Sequence, residues 1–149
     1  MSLFHRLRPF LTLKERQRIA DAIARAEGGT SGEIHVHLTS LSAPSGILGQ
    51  AEKTFFTLGL DKTTRRNGVL ILIATGDRRF AIWGDQGIHQ KAGQPLWDKA
   101  RRVLEDGMRA GKRGEAVEAC VAEVGRALAE HFPADGPRAN ELPDDVTGD

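Results

Sequence analysis

The sequence predicts an α/β fold, a three-layer α/β/α sandwich built around a small mixed sheet. The hydrophobic pattern changes along the chain in the order helix, strand, helix, strand, strand, helix, helix. Residues 69–74 (VLILIA) are apolar at every position, as in a central strand that helices cover on both faces. The length of 149 residues, with 40% hydrophobic and 28% charged residues, fits one globular domain.

The first half of the domain predicts two helices and one strand. Thr12 and Glu15 have the spacing of a capping box and open the first helix. Residues 33–39 (EIHVHLT) alternate between apolar and polar side chains, which predicts a strand with one buried face. A second helix is expected over about residues 47–58, and Gly59 ends it.

The second half predicts a hairpin and two further helices. Residues 69–74 form the second strand, which a right-handed crossover makes parallel to the first. Residues 79–84 follow a tight turn and form an antiparallel third strand. Pro95 lies in the first turn of the next helix. The last helix covers residues 115–131, and Pro133 terminates it.

Charge and composition separate the domain from its ends. We expect an N-terminal arm at residues 1–10, the α/β domain at residues 11–133 and a disordered acidic tail at residues 134–149. The tail has five acidic residues and one basic residue, a net charge of −4. Because the whole chain carries +1, the remainder carries +5. Proline, glycine and charge leave the tail little to bury.

Several classes of protein are disfavoured. The longest apolar run has six residues, whereas a membrane span needs about 20. Cys120 is the one cysteine, so no internal disulfide is expected, and it lies on an apolar helix stripe. These features favour a cytoplasmic protein. The arginine pairs at 65–66 and 78–79 fall at opposite ends of the predicted sheet, so nucleic-acid binding is not expected.

The predicted topology gathers polar residues at one edge of the sheet. Parallel strands one and two begin there and strand three ends there, which brings Glu33, Asn67 and Asp85 together. Two carboxylates and an amide oxygen are ligands that calcium or magnesium prefers. The alternative is that these residues only form turns, for which Asn-Gly and Gly-Asp pairs are common.

Histidines offer two further possibilities. His89 follows the turn at Asp85 and can reach the same edge, where it would act as a general acid beside Asp85. Its alternative role is that of a surface loop residue. His35 and His37 project from one face of the first strand, which suits zinc if a third ligand is present. The spacing marks no such ligand, and a polar sheet face explains the pair equally.

Five short motifs follow one another along the chain: residues 11–15 (LTLKE), 31–34 (SGEI), 66–70 (RNGVL), 79–88 (RFAIWGDQGI) and 97–98 (WD). In these motifs the sequence resembles the TPM domain family, whose members include a thylakoid lumen acid phosphatase, a photosystem II repair protein and a receptor modulator. The resemblance covers about residues 10–132 and is greatest to the compact cytoplasmic bacterial branch. It implies an α/β/α sandwich and, for some members, weak acid phosphatase activity and divalent-ion binding. The positions onto which its motif carries over are Asn67, Asp85 and His89.

Two functions follow as hypotheses. The first is a binding or regulatory module that holds calcium or magnesium through Glu33, Asn67 and Asp85 and has an unknown protein partner. The second is a weak metal-dependent acid phosphatase acting on phosphomonoesters, with Asp85 and His89 as catalytic residues. The sequence shows no nucleophile with a recognisable base, which favours the first hypothesis.

Overall fold

A computed structural model describes residues 9–134, 136 and 146–148. Its helices are α1 (Leu13–Glu27), α2 (Ile47–Thr57), α3 (Gln86–Ala92), α4 (Gln94–Arg109) and α5 (Arg113–His131). Its strands are β1 (Glu33–Thr39), β2 (Gly68–Ala74), β3 (Arg79–Gly84) and β4 (Val146–Gly148). A short 3-10 turn, Leu60–Lys62, follows α2.

The four strands form one mixed sheet in the order β3-β2-β1-β4. β1 and β2 are parallel, with Glu33 opposite Gly68, and β2 and β3 are antiparallel, with Val69 opposite Gly84. The predicted strand directions are therefore confirmed. α3 and β4 are additions that the sequence pattern did not predict as regular elements.

Helices cover both faces of the sheet, which confirms the three-layer α/β class. The larger core joins α1, α4 and α5 to the face of β1 that carries Ile34, Val36 and Leu38. The smaller core joins α2 to the opposite face of β2 and β3. Every residue of β2 is buried, because this central strand lies between the two cores.

The predicted capping box is present and also connects two helices. The Thr12 amide donates to Glu15 Oε1 at 2.9 Å, and the Glu15 amide donates to Thr12 Oγ1 at 3.0 Å. The second oxygen of Glu15 accepts a hydrogen bond from the Gly114 amide at 3.1 Å. The start of α1 is thereby tied to the start of α5.

The tail prediction is wrong for the three residues of β4. β4 pairs in parallel with the outer edge of β1, with Val36 opposite Val146. Val146 is buried, and Arg16 donates hydrogen bonds to the carbonyls of Val146 and Gly148. Backbone pairing orders this segment despite its polar composition. Residues 135, 137–145 and 149 lie outside the described residues, so disorder there stays a prediction.

Two predicted exclusions concern the membrane and the cysteine. Among the helices that the structure describes, none has both the length and the hydropathy needed to cross a bilayer. Cys120 is fully buried on the inner side of α5, as its place on the apolar stripe predicted.

Candidate functional site

The sheet places Glu33, Asn67 and Asp85 along one edge. Glu33 begins β1 opposite Gly68, Asn67 immediately precedes β2, and the Asp85 amide donates to the Gly68 carbonyl at 2.9 Å. All three residues are at most 4% exposed. The convergence expected from the topology is therefore present in the backbone, and the side chains decide what it can bind.

Asp85 is engaged by three donors. Arg66 donates from Nε to Oδ2 at 2.6 Å and from Nη2 to Oδ1 at 2.9 Å. The Gln86 amide donates to Oδ1 at 2.8 Å, which caps α3. The hydrogen bond with Asp85 raises the pKa of Arg66, and Coulomb attraction to Asp85 adds to it. Asp85 is thus the counter-ion of Arg66 and the N-cap of α3.

Arg66 adopts a backbone conformation that non-glycine residues rarely take. Its φ is +52°, in the left-handed region. Its carbonyl accepts a hydrogen bond from the Gly87 amide at 2.8 Å. Because backbone strain of this kind persists only where the surroundings fix it, the loop is tied to the start of α3 through both main chain and side chain.

A main-chain oxygen and a further carboxylate lie at the same edge. Gly68 stands between Glu33 and Asp85 in the strand register, and a Cβ on Gly68 would lie 2.5 Å from the Leu60 carbonyl oxygen. The glycine therefore allows this oxygen to sit against the strand. The neighbouring Asp61 has a buried Oδ1 with no hydrogen-bond partner among the described residues, and its charge also raises the pKa of Arg66.

Asn67 carries a second buried polar atom that lacks a hydrogen-bond partner among the described residues. Its Nδ2 donates to Ser31 Oγ at 3.1 Å, and its main-chain amide donates to Thr63 Oγ1 at 3.1 Å. Its Oδ1 is buried and accepts no hydrogen bond within the described part of the chain. Such an atom costs about 1–3 kcal/mol unless water or an ion pairs with it.

A groove of about 580 Å³ opens beside β3, between α2 and α4. Its volume is within the range of small-ligand sites. Leu48 and Phe56 of α2 line it and are about half exposed. Asp85, Arg66 and His89 also line it. The groove therefore combines an apolar wall with these three polar side chains, whereas Glu33 and Asn67 are not among its described lining residues.

His89 is fixed in orientation by a tryptophan. Its Nδ1 accepts a hydrogen bond from Trp97 Nε1 at 2.9 Å, and the two rings are stacked. The neutral imidazole must then carry its proton on Nε2. A Cβ on Gly84 would clash with the Trp97 ring, so the glycine lets the indole lie against β3. His89 shares the groove with Asp85, as expected.

The histidine pair of β1 meets the tail. His35 Nε2 is 2.8 Å and His37 Nδ1 is 2.6 Å from Thr147 Oγ1. The described residues contain no group of three or more His, Cys, Asp or Glu placed to hold a metal ion. The third ligand that a zinc site needs is accordingly not found within that part of the chain.

Three participants were missed by the sequence reasoning: Arg66, Asp61 and Trp97. Arg66 was placed in a motif at this edge and weighed as part of a nucleic-acid surface, but it was given no role in the site. A signal was available, because antiparallel pairing of residues 68–74 with 79–84 brings the residues just outside the hairpin together. Charge complementarity between Arg66 and Asp85 could have been read from that register.

Comparisons with known proteins agree with this architecture. The model of the TPM domain matches residues 8–127. The NMR structure of the BA42 protein from the psychrophilic bacterium Bizionia argentinensis is similar, with 36% identity and a TM-score of 0.86 over 94% of this chain and 97% of that one. A comparison with curated protein sequences gave no match.

Two more distant structures share the fold alone. The N-terminal domain of the cg2496 protein from Corynebacterium glutamicum has 14% identity and a TM-score of 0.62, over 89% of this chain and 84% of that one. An N-terminal domain from P. gingivalis has 18% identity and a TM-score of 0.58, over 85% and 83% of the two chains. From the family match over most of its length, the chain belongs to the TPM domain family.

Proposed function

We propose that this protein is a binding or regulatory TPM module that takes up calcium or magnesium at the edge formed by β1, β2 and β3. The observation that carries the proposal is Asn67 Oδ1, which lies at the sheet edge that also carries Glu33 and Asp85, is buried, and lacks a hydrogen-bond partner among the described residues. A divalent cation is a natural partner for such an oxygen, because calcium and magnesium take oxygen ligands.

The edge supplies oxygen ligands of the required kind. Asn67 and Asp61 each have a buried oxygen without a partner in the described structure. Asp85 and Glu33 lie on either side of Gly68 in the strand register, and the Leu60 carbonyl lies against Gly68. Few of these are fully available, so water would complete the coordination. We expect weak binding, with a dissociation constant of about 10⁻⁴–10⁻³ M, as for the weaker protein calcium sites.

In the structure, the Arg66 guanidinium neutralises the charge of the Asp85 carboxylate. The Arg66 side chain is 39% exposed, so it can turn out towards solvent while the buried Asp85 stays in place. Cation binding is therefore an exchange, in which the ion replaces the guanidinium beside Asp85. This exchange would release the main-chain loop at Arg66 from one of its two ties to α3, which gives the module a means of regulation.

The experiment is a titration of the full chain with calcium and with magnesium, followed by ¹H–¹⁵N NMR. We expect saturable shifts of the Asn67 side-chain amide and the Arg66 Nε–H. Asp85→Asn should abolish them. Asp98→Asn is the matched control, because Asp98 lines the same groove but accepts a hydrogen bond from Gln94. The absence of shifts near Asn67 up to about 10 mM ion, above the range of weak sites, would refute the proposal.

A second candidate, weak acid phosphatase activity, is favoured by His89. Its neutral tautomer places a hydrogen-bond donor on Nε2 in the groove, where it would hold a phosphate oxygen. Protonating a leaving group would require the imidazolium, in which Nδ1 no longer accepts from Trp97. The test is turnover of a simple phosphomonoester with and without magnesium, comparing the wild type with His89→Gln and Asp85→Asn. Turnover that both substitutions leave unchanged would remove these residues from any mechanism.

A further inference from the structure

The C-terminal strand β4 is held on β1 by side chains as well as by backbone pairing. Val36 stands opposite Val146 and Leu38 opposite Gly148. Val146 is 6% exposed and belongs to the larger core. Arg16 Nη2 donates to the carbonyls of Val146 at 3.1 Å and Gly148 at 3.2 Å. A cation on α1 thus fastens both ends of the three-residue strand.

The middle and last residues of β4 are matched to β1 individually. Thr147 Oγ1 lies within hydrogen-bond distance of both His35 and His37. Gly148 has a φ of +90°, and a Cβ at that position would overlap the Leu38 carbonyl. The edge therefore accepts an apolar residue, a hydroxyl residue and a glycine, in that order.

We propose that the outer edge of β1, with Arg16, His35 and His37, is a peptide-binding site for a Val-Thr-Gly strand, and that it accepts the C-terminal strand of a second copy of this chain. Addition of an extended segment to a sheet edge is a general mode of recognition, in which the backbone gives affinity and side-chain pockets give specificity. In the isolated chain its own β4 occupies the site.

Charge complementarity supports this choice of partner. In the sequence, Asp144 and Asp145 precede the strand and Asp149 follows it, within a tail of net charge −4. The acceptor edge presents Arg16, on a body whose net charge is +5 with histidine counted as neutral. The tail of another copy brings the same sequence and the same charges to this edge.

We expect β4 to exchange with the same segment of another copy, because little free energy holds it on β1. β4 contributes one buried valine and a few hydrogen bonds. Ordering its backbone costs conformational entropy. Because both contributions are small for a three-residue strand, we expect β4 to open without global unfolding. Its own tail has an effective concentration in the millimolar range, so exchange between copies requires high protein concentration.

The site is tested with a full chain carrying Gly148→Ala, in which the resident strand no longer fits. The probe is a fluorescent peptide of residues 141–149 (ELPDDVTGD), with Thr147→Val and Gly148→Ala peptides as controls. We expect the wild-type peptide to bind this variant at least tenfold more tightly than it binds the wild-type chain, and the Gly148→Ala peptide not to bind. Equal binding of the peptide to the Gly148→Ala variant and to the wild-type chain would contradict the proposal that this edge is a peptide-binding site.

The partner is tested by sedimentation of the wild-type chain over a concentration series. We expect a dimer that grows towards millimolar protein and that Gly148→Ala removes. A monomer at every concentration, or a dimer that the substitution leaves unchanged, would contradict the proposal that the site accepts the C-terminal strand of a second copy.

If Gly148→Ala fails to fold, hydrogen exchange on the wild type gives an independent answer. Amides of β1 that pair with β4 should exchange faster than those that pair with β2. Equal protection of the two sets would show that β4 opens only with global unfolding, which contradicts the proposal.

Discussion

The Arg66 guanidinium forms a two-point ion pair with the Asp85 carboxylate, with Nε 2.6 Å from Oδ2 and Nη2 2.9 Å from Oδ1. Two-point pairs of this kind fix orientation as well as charge. The pair lies where β2 begins and β3 ends, beside Asn67. A cation that binds Asp85 would have to replace the Arg66 guanidinium in this pair.

The hairpin explains why these two residues meet. β2 and β3 pair with Val69 opposite Gly84 at the open end of the hairpin. Beyond this end the Asp85 amide donates to the Gly68 carbonyl, and Arg66 precedes Gly68 by two residues. Glycines at this end leave room for neighbouring groups: Gly68 for the Leu60 carbonyl and Gly84 for the Trp97 ring. The site is thus a direct consequence of strand register.

The contact between Gly84 and Trp97 predicts a large loss of stability for Gly84→Ala. A Cβ there would overlap the indole ring, and such overpacking costs about 1–3 kcal/mol. The displaced ring would also weaken the bond from Trp97 Nε1 to His89. Urea unfolding measures the loss in the free energy of unfolding, and tryptophan fluorescence reports a change in the surroundings of the Trp97 ring.

Gly49→Ala is the matched control for that substitution. Gly49 lies within α2 and a Cβ there meets nothing within 4 Å, so alanine should stabilise the helix by up to about 1 kcal/mol. If Gly84→Ala were as stable as Gly49→Ala, the close packing of Trp97 on β3 would be incorrect.

Asp77 should make stability depend on pH at the acid end. The Ser42 hydroxyl donates to Asp77, and the Ser42 amide lies 3.3 Å from both of its oxygens. The hydroxyl bond is the main cause of the lowered pKa of Asp77. Its stabilisation is therefore complete above the unfolded-state pKa of about 3.9 and is lost as the pH falls through the lower folded value.

Ser42→Ala tests that linkage, because it removes the donor and leaves the carboxyl in place. The variant should be less stable than the wild type near neutral pH, and the difference should shrink below the folded pKa of Asp77. Denaturant unfolding at several pH values measures it. A difference that is constant from neutral to strongly acid pH would contradict the assignment.

Cys120 should be inert in the folded protein. Burial raises the pKa of its thiol to about 12, with a smaller contribution from Glu123, so at pH 8 about one thiol in ten thousand would be ionised. We expect no reaction with a disulfide reagent until denaturant unfolds the chain. Rapid stoichiometric labelling of the thiol, in protein whose circular dichroism spectrum is unchanged, would show that Cys120 is accessible in the folded state.

Much of the fold could be predicted because it rests on local pattern. The apolar run of β2 and the alternation in β1 fix their burial, and the crossover between them fixes their direction. The edge that gathers Glu33, Asn67 and Asp85 follows from those directions alone. Backbone topology was therefore sufficient to place the candidate site.

Side-chain pairing and β4 could not be predicted in the same way. Three residues with one buried apolar side chain are too short to show a period, and Arg16, which fastens them, is 130 residues before Val146. The strand register brings Arg66 and Asp85 to one edge, but the two-point geometry of their ion pair occurs with a left-handed backbone at Arg66, which the residue type does not indicate. Both features are set by contacts distant in sequence.

The most direct test of cation exchange is the affinity of Arg66→Gln for calcium and magnesium, measured by calorimetry or NMR. Removing the competing guanidinium should tighten binding about tenfold, equivalent to about 1.4 kcal/mol. Arg101→Gln controls for general charge, because Arg101 lines the same groove but pairs with Glu105. An Arg66→Gln affinity equal to or weaker than that of the wild type would contradict the account.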